Sequence, residues 1–210
     1  FDGHMPSQDD IVDSARMMST LRGAVGSRAD LLFGTHGQFT AAGAIRLARE
    51  LEPFDPLWFE EPCAADLPHE MARVAASTTI PIATGERLAF NDFQPLFAAG
   101  ACHFAQPDLG GCGGITAARE IAAMAEAHYV LMAPHVWGGP IITAAALQLD
   151  AAIPNFLIQE SIYTSNLFFD EIVEEPFVWD DGDLLVPDRP GHGINLVAEK
   201  LLEHKARHGL

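Results

Sequence analysis

The chain has 210 residues, enough for one large domain or two small ones. It is 49% hydrophobic and 20% charged, which suits a buried core and excludes a disordered tail. Its net charge of −17 repels phosphate backbones and anionic lipids, so nucleic-acid and membrane partners are not expected; a small anionic substrate would need a bound cation or a local arginine.

The cysteines Cys63, Cys102 and Cys112 are odd in number and lack a C-x-x-C spacing. That argues against a disulfide framework or zinc ribbon and points to a reducing, cytoplasmic setting. No apolar run approaches a membrane helix, and Phe1 reads as the start of a piece of a longer protein.

In chain order, Ile11, Val12, Ala15, Met18 and Leu21 predict an amphipathic helix within Asp9–Arg28, entered at Ser7 with Asp9 and Asp10 in its first turn. A repeating unit follows. Short apolar runs at 31–33, 57–59, 80–83, 103–105, 130–133 and 156–158 each end in polar residues, and a helical pattern follows all but the last. The closing polar residues are His36, Glu60, Glu86, Asp108, His135 and Glu160, spaced 22 to 27 residues apart. This rhythm predicts βα units on a parallel sheet. Two folds fit it, a doubly wound sheet and a (β/α)8 barrel. No Gly-x-Gly-x-x-Gly follows the first strand, and every strand ends in a residue capable of chemistry, so the barrel is favoured. With about six units it would be incomplete. The rhythm stops after Ser161. Trp179-Asp180-Asp181-Gly182 predicts a hairpin, and a last helix is expected over 196–208. The division is therefore 1–160, a partial barrel, and 161–210, a hairpin-and-helix segment packing on the barrel or on a capping domain.

Glu60, Glu86 and Asp108 at one barrel mouth would repel each other if unpaired. A bound divalent cation is the simplest resolution, and hard carboxylate oxygens suit Mg2+ or Mn2+ better than zinc. Each of the three could instead be an ordinary solvent-facing carboxylate or helix cap. His135 closes a strand after Pro134, where a neighbouring carboxylate such as Asp108 could orient it; alternation turns His36 to the same side as Gly34. Either histidine could also be a partly buried structural residue. The only lysines, Lys200 and Lys205, lie in the last helix, so a lysine base at a strand end is excluded. The Gly110–Gly114 run reads as a tight turn, and Cys63 and Cys112 read as structural.

Glu60-Glu61-Pro62, Gly85-Glu86-Arg87, Gln106-Pro107-Asp108 before a Gly-Gly loop, Ala133-Pro134-His135 and Gln159-Glu160 together resemble the barrel of the enolase superfamily. Within it they resemble the mandelate racemase/muconate lactonizing enzyme group, on the side of the acid-sugar dehydratases. The resemblance runs from about Asp30 to Glu160. It implies Glu60 and Glu86 as Mg2+ ligands and His135 as the base for the proton α to a carboxylate, paired with Asp108. Glu160 would hydrogen-bond the substrate carboxylate, and His36 would protonate the departing hydroxyl. The implied reaction is dehydration of a sugar acid to a 2-keto-3-deoxy acid, with a racemase or epimerase as the alternative. The resemblance also implies a homo-oligomer as an option, though no local signal marks an interface. Two departures stand out. The family's first metal ligand is an aspartate where this chain has Gly34, and its N-terminal capping domain and first barrel strands have no counterpart here. A third reading follows from them: a fragment that keeps the scaffold without a competent site.

Overall fold

The structure is a computed structural model and describes residues 4–162 and 168–208. It opens on α1 (Gln8–Val25), which starts where Ser7 and Asp10 form a reciprocal capping box, Ser7 Oγ accepting from the Asp10 amide at 3.1 Å. Five parallel strands follow, in spatial order equal to chain order: β1 (Leu32–Gly34), β2 (Trp58–Glu60), β3 (Ile82–Thr84), β4 (Phe104–Ala105) and β5 (Leu131–Met132). Between them lie α2 (Ala41–Leu51), α3 (Pro68–Ala75), α4 (Phe90–Ala98), a one-turn α5 (Leu109–Cys112) and α6 (Gly114–Ala127); α7 (Pro140–Asp150) follows β5. This is the expected parallel α/β arrangement, an incomplete barrel.

Alternation along each strand divides the core. Phe59, Ile82, Ala105 and Met132 join the helix-side cluster with Leu47, Met71, Phe93 and Ile121. Trp58, Ala83, Phe104 and Ala133 form a smaller cluster on the opposite, concave face. Burying both faces is what makes these strands read as continuous apolar runs.

The sixth expected strand is reduced. Phe156 makes a single parallel bridge to Met132, flanked by hydrogen bonds from the Met132 amide to the Asn155 carbonyl and from the Leu157 amide to the Met132 carbonyl, both 2.8 Å. No further described strand pairs on its outer side, so the ladder fades there. The Gly-rich run is also more regular than a turn: Asp108 caps α5, accepting from the Gly110 amide at 2.7 Å and the Gly111 amide at 3.2 Å.

The tail forms the expected hairpin, β6 (Trp179–Asp180) with β7 (Asp183–Leu184), then α8 (Ala198–His208). Phe169, Val173, Phe177 and Ile194 bury themselves against Ala144 and Leu147 of α7.

Candidate active site

The strand ends converge on one rim, and each arrives by a distinct local device. Glu60 is the last residue of β2, in register with Gly34 of β1. Glu86 follows Gly85, whose φ is +136°; a Cβ there would stand 2.9 Å from Phe93, so only glycine lets the chain turn at that point. Asp108 sits at the N-cap of α5, and a parallel bridge joins it to His135.

His135 is the centre of the arrangement. Its Nδ1 lies 2.8 Å from Asp108 Oδ2. A carboxylate oxygen accepts, so Nδ1 is the donor in this contact, and Nε2 is the ring nitrogen turned to the rest of the rim. Nε2 lies 3.4 Å from Glu86 Oε2 and 3.7 Å from Glu160 Oε2. Glu160 is itself held by the Val136 amide at 2.9 Å. Burial raises the Glu160 carboxyl above the ordinary range, against the lowering effects of that amide and of His135.

His36 reaches the site by a different route from the one expected. β1 ends at Gly34, and His36 lies beyond it in a turn at φ +50°. Strand alternation does not carry that far. His36 nevertheless lines the same cavity as Gly34, Glu60, Gln106 and Glu160, a hollow of about 340 Å³ on the concave face. The structure thus gathers His135 with Asp108, Glu86 and Glu160, and places His36 and Glu60 with Glu160 on the adjoining wall.

The expected repulsion among carboxylates is answered largely by protein donors. Gln106 Nε2 donates to Glu60 Oε2 at 2.7 Å, Arg87 Nε donates to Glu86 Oε1 at 3.1 Å, and Asp108 has His135 and two amides. A cation is therefore not the only thing that could hold these groups together.

Two residues that sequence reasoning passed over have a part here. Gln106 grips Glu60 and keeps a buried Oε1 without a partner. Glu61 is 1% exposed and sits at φ +41°, pinned by amide and hydroxyl donors: its carbonyl accepts from the Gly37 amide at 2.7 Å and from Thr35 Oγ1 at 3.0 Å. Burial, then the charge of Glu86, pushes its carboxyl up to about 7, with Arg87 opposing from 3.6 Å. A left-handed backbone at His36 and again at Glu61, both beside the rim, is the kind of strain that surrounding contacts must hold in place. The doubled glutamate of Glu60-Glu61-Pro62 was the available signal for Glu61, since alternation puts one of the pair on the buried face.

Parallel strands whose ends carry carboxylates and an Asp-oriented histidine form a rim of the kind on which barrel proteins gather their functional groups. The model of the family described as "Enolase C-terminal domain-like" matches residues 3–200, and the chain belongs to that family. It is 38% identical over 207 residues to a D-galactonate dehydratase of Xanthomonas axonopodis pv. citri, covering 91% of this chain and 54% of that one. It is 44% identical to the solved structure of a mandelate racemase/muconate lactonizing enzyme from Jannaschia sp. CCS1, with a TM-score of 0.91 over 96% of this chain and 52% of that one. A second such structure, from Sulfitobacter sp., gives 45% identity and a TM-score of 0.89 over 94% and 50%. The chain spans about half the length of the curated relatives it matches.

Proposed function

We propose that the chain is the barrel portion of a carbon–oxygen lyase that dehydrates a sugar acid to a 2-keto-3-deoxy acid. The observation that carries this reading is His135, held by Asp108 at 2.8 Å with Nε2 turned toward Glu86 and Glu160. The likeness to D-galactonate dehydratases supports it and suggests an aldonate as substrate.

In this reading His135 Nε2 takes the proton α to the substrate carboxylate. The C–H electrons move into the new carbon–carbon double bond of an enediolate. Glu160, whose proton is retained to higher pH than usual, hydrogen-bonds a carboxylate oxygen as charge builds there. His36 gives a proton to the β-hydroxyl, the C–O bond breaks, and water leaves. The enol product then rearranges to the keto acid. An acid is needed because hydroxide is a poor leaving group.

Among the described residues no three His, Cys, Asp or Glu side chains are placed as a metal cluster. Glu60 and Glu86 offer two hard carboxylates, and one Glu60 oxygen already accepts from Gln106. Two carboxylates fit Mg2+, which keeps several waters and takes further oxygens from its substrate. Glu60 and Glu86 are the residues that would hold it, and its charge would stabilise the enediolate.

No described helix is long and apolar enough to cross a membrane. The three cysteines are free and buried, with Cys63 and Cys102 pushed up to about 12 by burial, in keeping with inert thiols and a cytoplasmic setting.

The test is incubation of the protein with a panel of aldonates and Mg2+, read by 2-keto-3-deoxy acid formation. Product from any member supports the reading. Epimerised substrate without keto acid moves the assignment to a racemase or epimerase, and no turnover of any kind favours the scaffold without a competent site.

A further inference from the structure

Each of the two carboxylates read as cation-holding is already engaged at one oxygen. Glu60 Oε2 accepts from Gln106 Nε2 at 2.7 Å, and Glu86 Oε1 accepts from Arg87 Nε at 3.1 Å. The two donors differ in kind. Arg87 is charged and largely exposed, whereas Gln106 is neutral and buried. Gln106 can therefore fix Glu60 without cancelling its charge.

The fold builds the Gln106 contact from strand geometry. Gln106 directly follows β4, and its amide donates to the Thr84 carbonyl at 2.9 Å, so its backbone prolongs the ladder. Phe104 belongs to the concave cluster and Ala105 to the helix side, so alternation returns Gln106 to the concave face. It lines the cavity there with Glu60. β3 runs between the two. Its residue in register with Glu60 is Ala83, which puts only a methyl on that face and leaves room for a side chain to span the strand. A carboxylate oxygen accepts, so Nε2 is the amide atom that faces Glu60. Oε1 stays buried without a partner, a cost that an apolar side chain of similar size would not carry.

That hydrogen bond limits what Glu60 can do with a cation. Its Oε2 has the positive end of an N–H dipole against it, while its Oε1 has no hydrogen bond among the described residues. A cation chelated by both oxygens would meet the dipole; a cation on Oε1 alone would not. Glu86, with Oε1 on Arg87, is restricted in the same way. Mg2+ is content with single oxygens in an octahedron, whereas Ca2+ takes more oxygens and often two from one carboxylate. We propose that Gln106 is a positioning residue that holds Glu60 to one-oxygen binding and so favours Mg2+ over Ca2+ at the rim. This role rests on the reading that Glu60 and Glu86 hold the cation.

Calorimetric titration with Mg2+ and, separately, with Ca2+ tests it on the unaltered chain, Gln106→Met and Glu60→Gln. Gln106→Met keeps the bulk of the side chain and removes the donor. Its Mg2+ affinity should fall about tenfold or more, the usual loss when a ligand's hydrogen-bond partner is removed. Its Ca2+ affinity should hold or rise, so the ratio of the two affinities falls about tenfold. A packing role would leave that ratio unmoved. An unchanged ratio in Gln106→Met, with Mg2+ binding lost in Glu60→Gln, overturns the positioning role and leaves the cation reading intact. Failure of the unaltered chain to bind Mg2+, or full affinity in Glu60→Gln, overturns the cation reading and the role with it. Should Gln106→Met not fold, Gln106→Asn, which keeps the amide but loses one methylene of reach, takes its place with the same expected fall in the ratio.

Discussion

At the rim each carboxylate meets a donor, while Asp150 at the end of α7 meets none. Asp108 has His135 and two backbone amides, Glu86 has Arg87, Glu60 has Gln106, and Glu160 has the Val136 amide. Asp150 is more deeply buried than these, and among the described residues its two oxygens have no hydrogen-bond partner. The rim can hold its charges without help and put them to work on a bound molecule. Asp150 instead keeps its proton to a much higher pH than an exposed carboxyl would, because burial disfavours the charge.

The largest effect should come from breaking the rim at its centre. His135→Asn keeps a side chain at that position but removes the base at Nε2. Keto-acid formation should fall by about a thousandfold or more, the usual weight of general-base catalysis. Exchange of the α-proton with solvent deuterium, followed by NMR, should disappear with it. Retained exchange would mean that another group takes the proton.

His36→Asn should sharpen the division of labour within the rim. Elimination should drop by several hundredfold, the weight of a lost general acid, while α-proton exchange continues. Equal loss of both signals would remove the separate acid role. His36 lies in a left-handed turn after β1, held by the Thr35 and Gly37 amides on the Glu60 and Glu61 carbonyls.

Much of the rim was legible because strand ends leave a phase. The residues at 60, 86, 108, 135 and 160 end apolar runs at regular spacing, and the parallel order follows from the intervening amphipathic helices. Helix starts were legible where a side chain can cap, as at Ser7. The rest depended on neighbours distant in sequence. The Phe156–Ile158 run has the composition of a strand, but among the described residues it makes a single bridge, to Met132. The Gln106 contact with Glu60 spans 46 residues and leaves no local pattern. Glu61 looked like a repeat of Glu60, and only the fold shows it buried beneath Arg87. Nothing local in the sequence marks Asp150 as buried; it shares a cavity lining with Trp179, Asp183 and Leu184, some thirty residues on.

The second region can be sharpened by pH. Burial raises the Asp150 carboxyl from 3.8 to about 8. The folded state therefore binds a proton that the unfolded chain has already released. Asp150 costs nothing below pH 3.8, and its penalty grows as pH rises toward 8 and then levels off. Asp150→Asn should overtake the parent in stability across that window, by about 3 kcal/mol at its upper end, less than the full shift because buried charges relax. Denaturant melts at a series of pH values give the difference. A constant gap from pH 4 to 8 would show that the carboxyl is not trapped.

The smallest effect, about tenfold, concerns the metal and decides how far the rim depends on its own donors. Gly34 faces Glu60 across the β1–β2 ladder, and a Cβ built on it would stand 3.3 Å from the Glu60 Cβ. That is tight, and a Cβ moves only with its backbone, so β1 and β2 must ease apart by a few tenths of an ångström; Gly34 itself needs no left-handed backbone. Gly34→Asp would place a third hard carboxylate beside Glu60 and Glu86. Without metal it should destabilise the fold slightly, because like charges crowd the rim. With metal the sign should reverse: Mg2+ affinity, measured by calorimetry, should rise about tenfold over the parent as the added charge and ligand outweigh the repulsion. Gly34→Asn separates the two causes, since it matches the shape and lacks the charge. If the aspartate leaves Mg2+ binding unchanged while Glu60→Gln also leaves it unchanged, then Glu60 and Glu86 are not the ligands, and the Gln106 and Arg87 contacts are the whole of what holds those carboxylates in place.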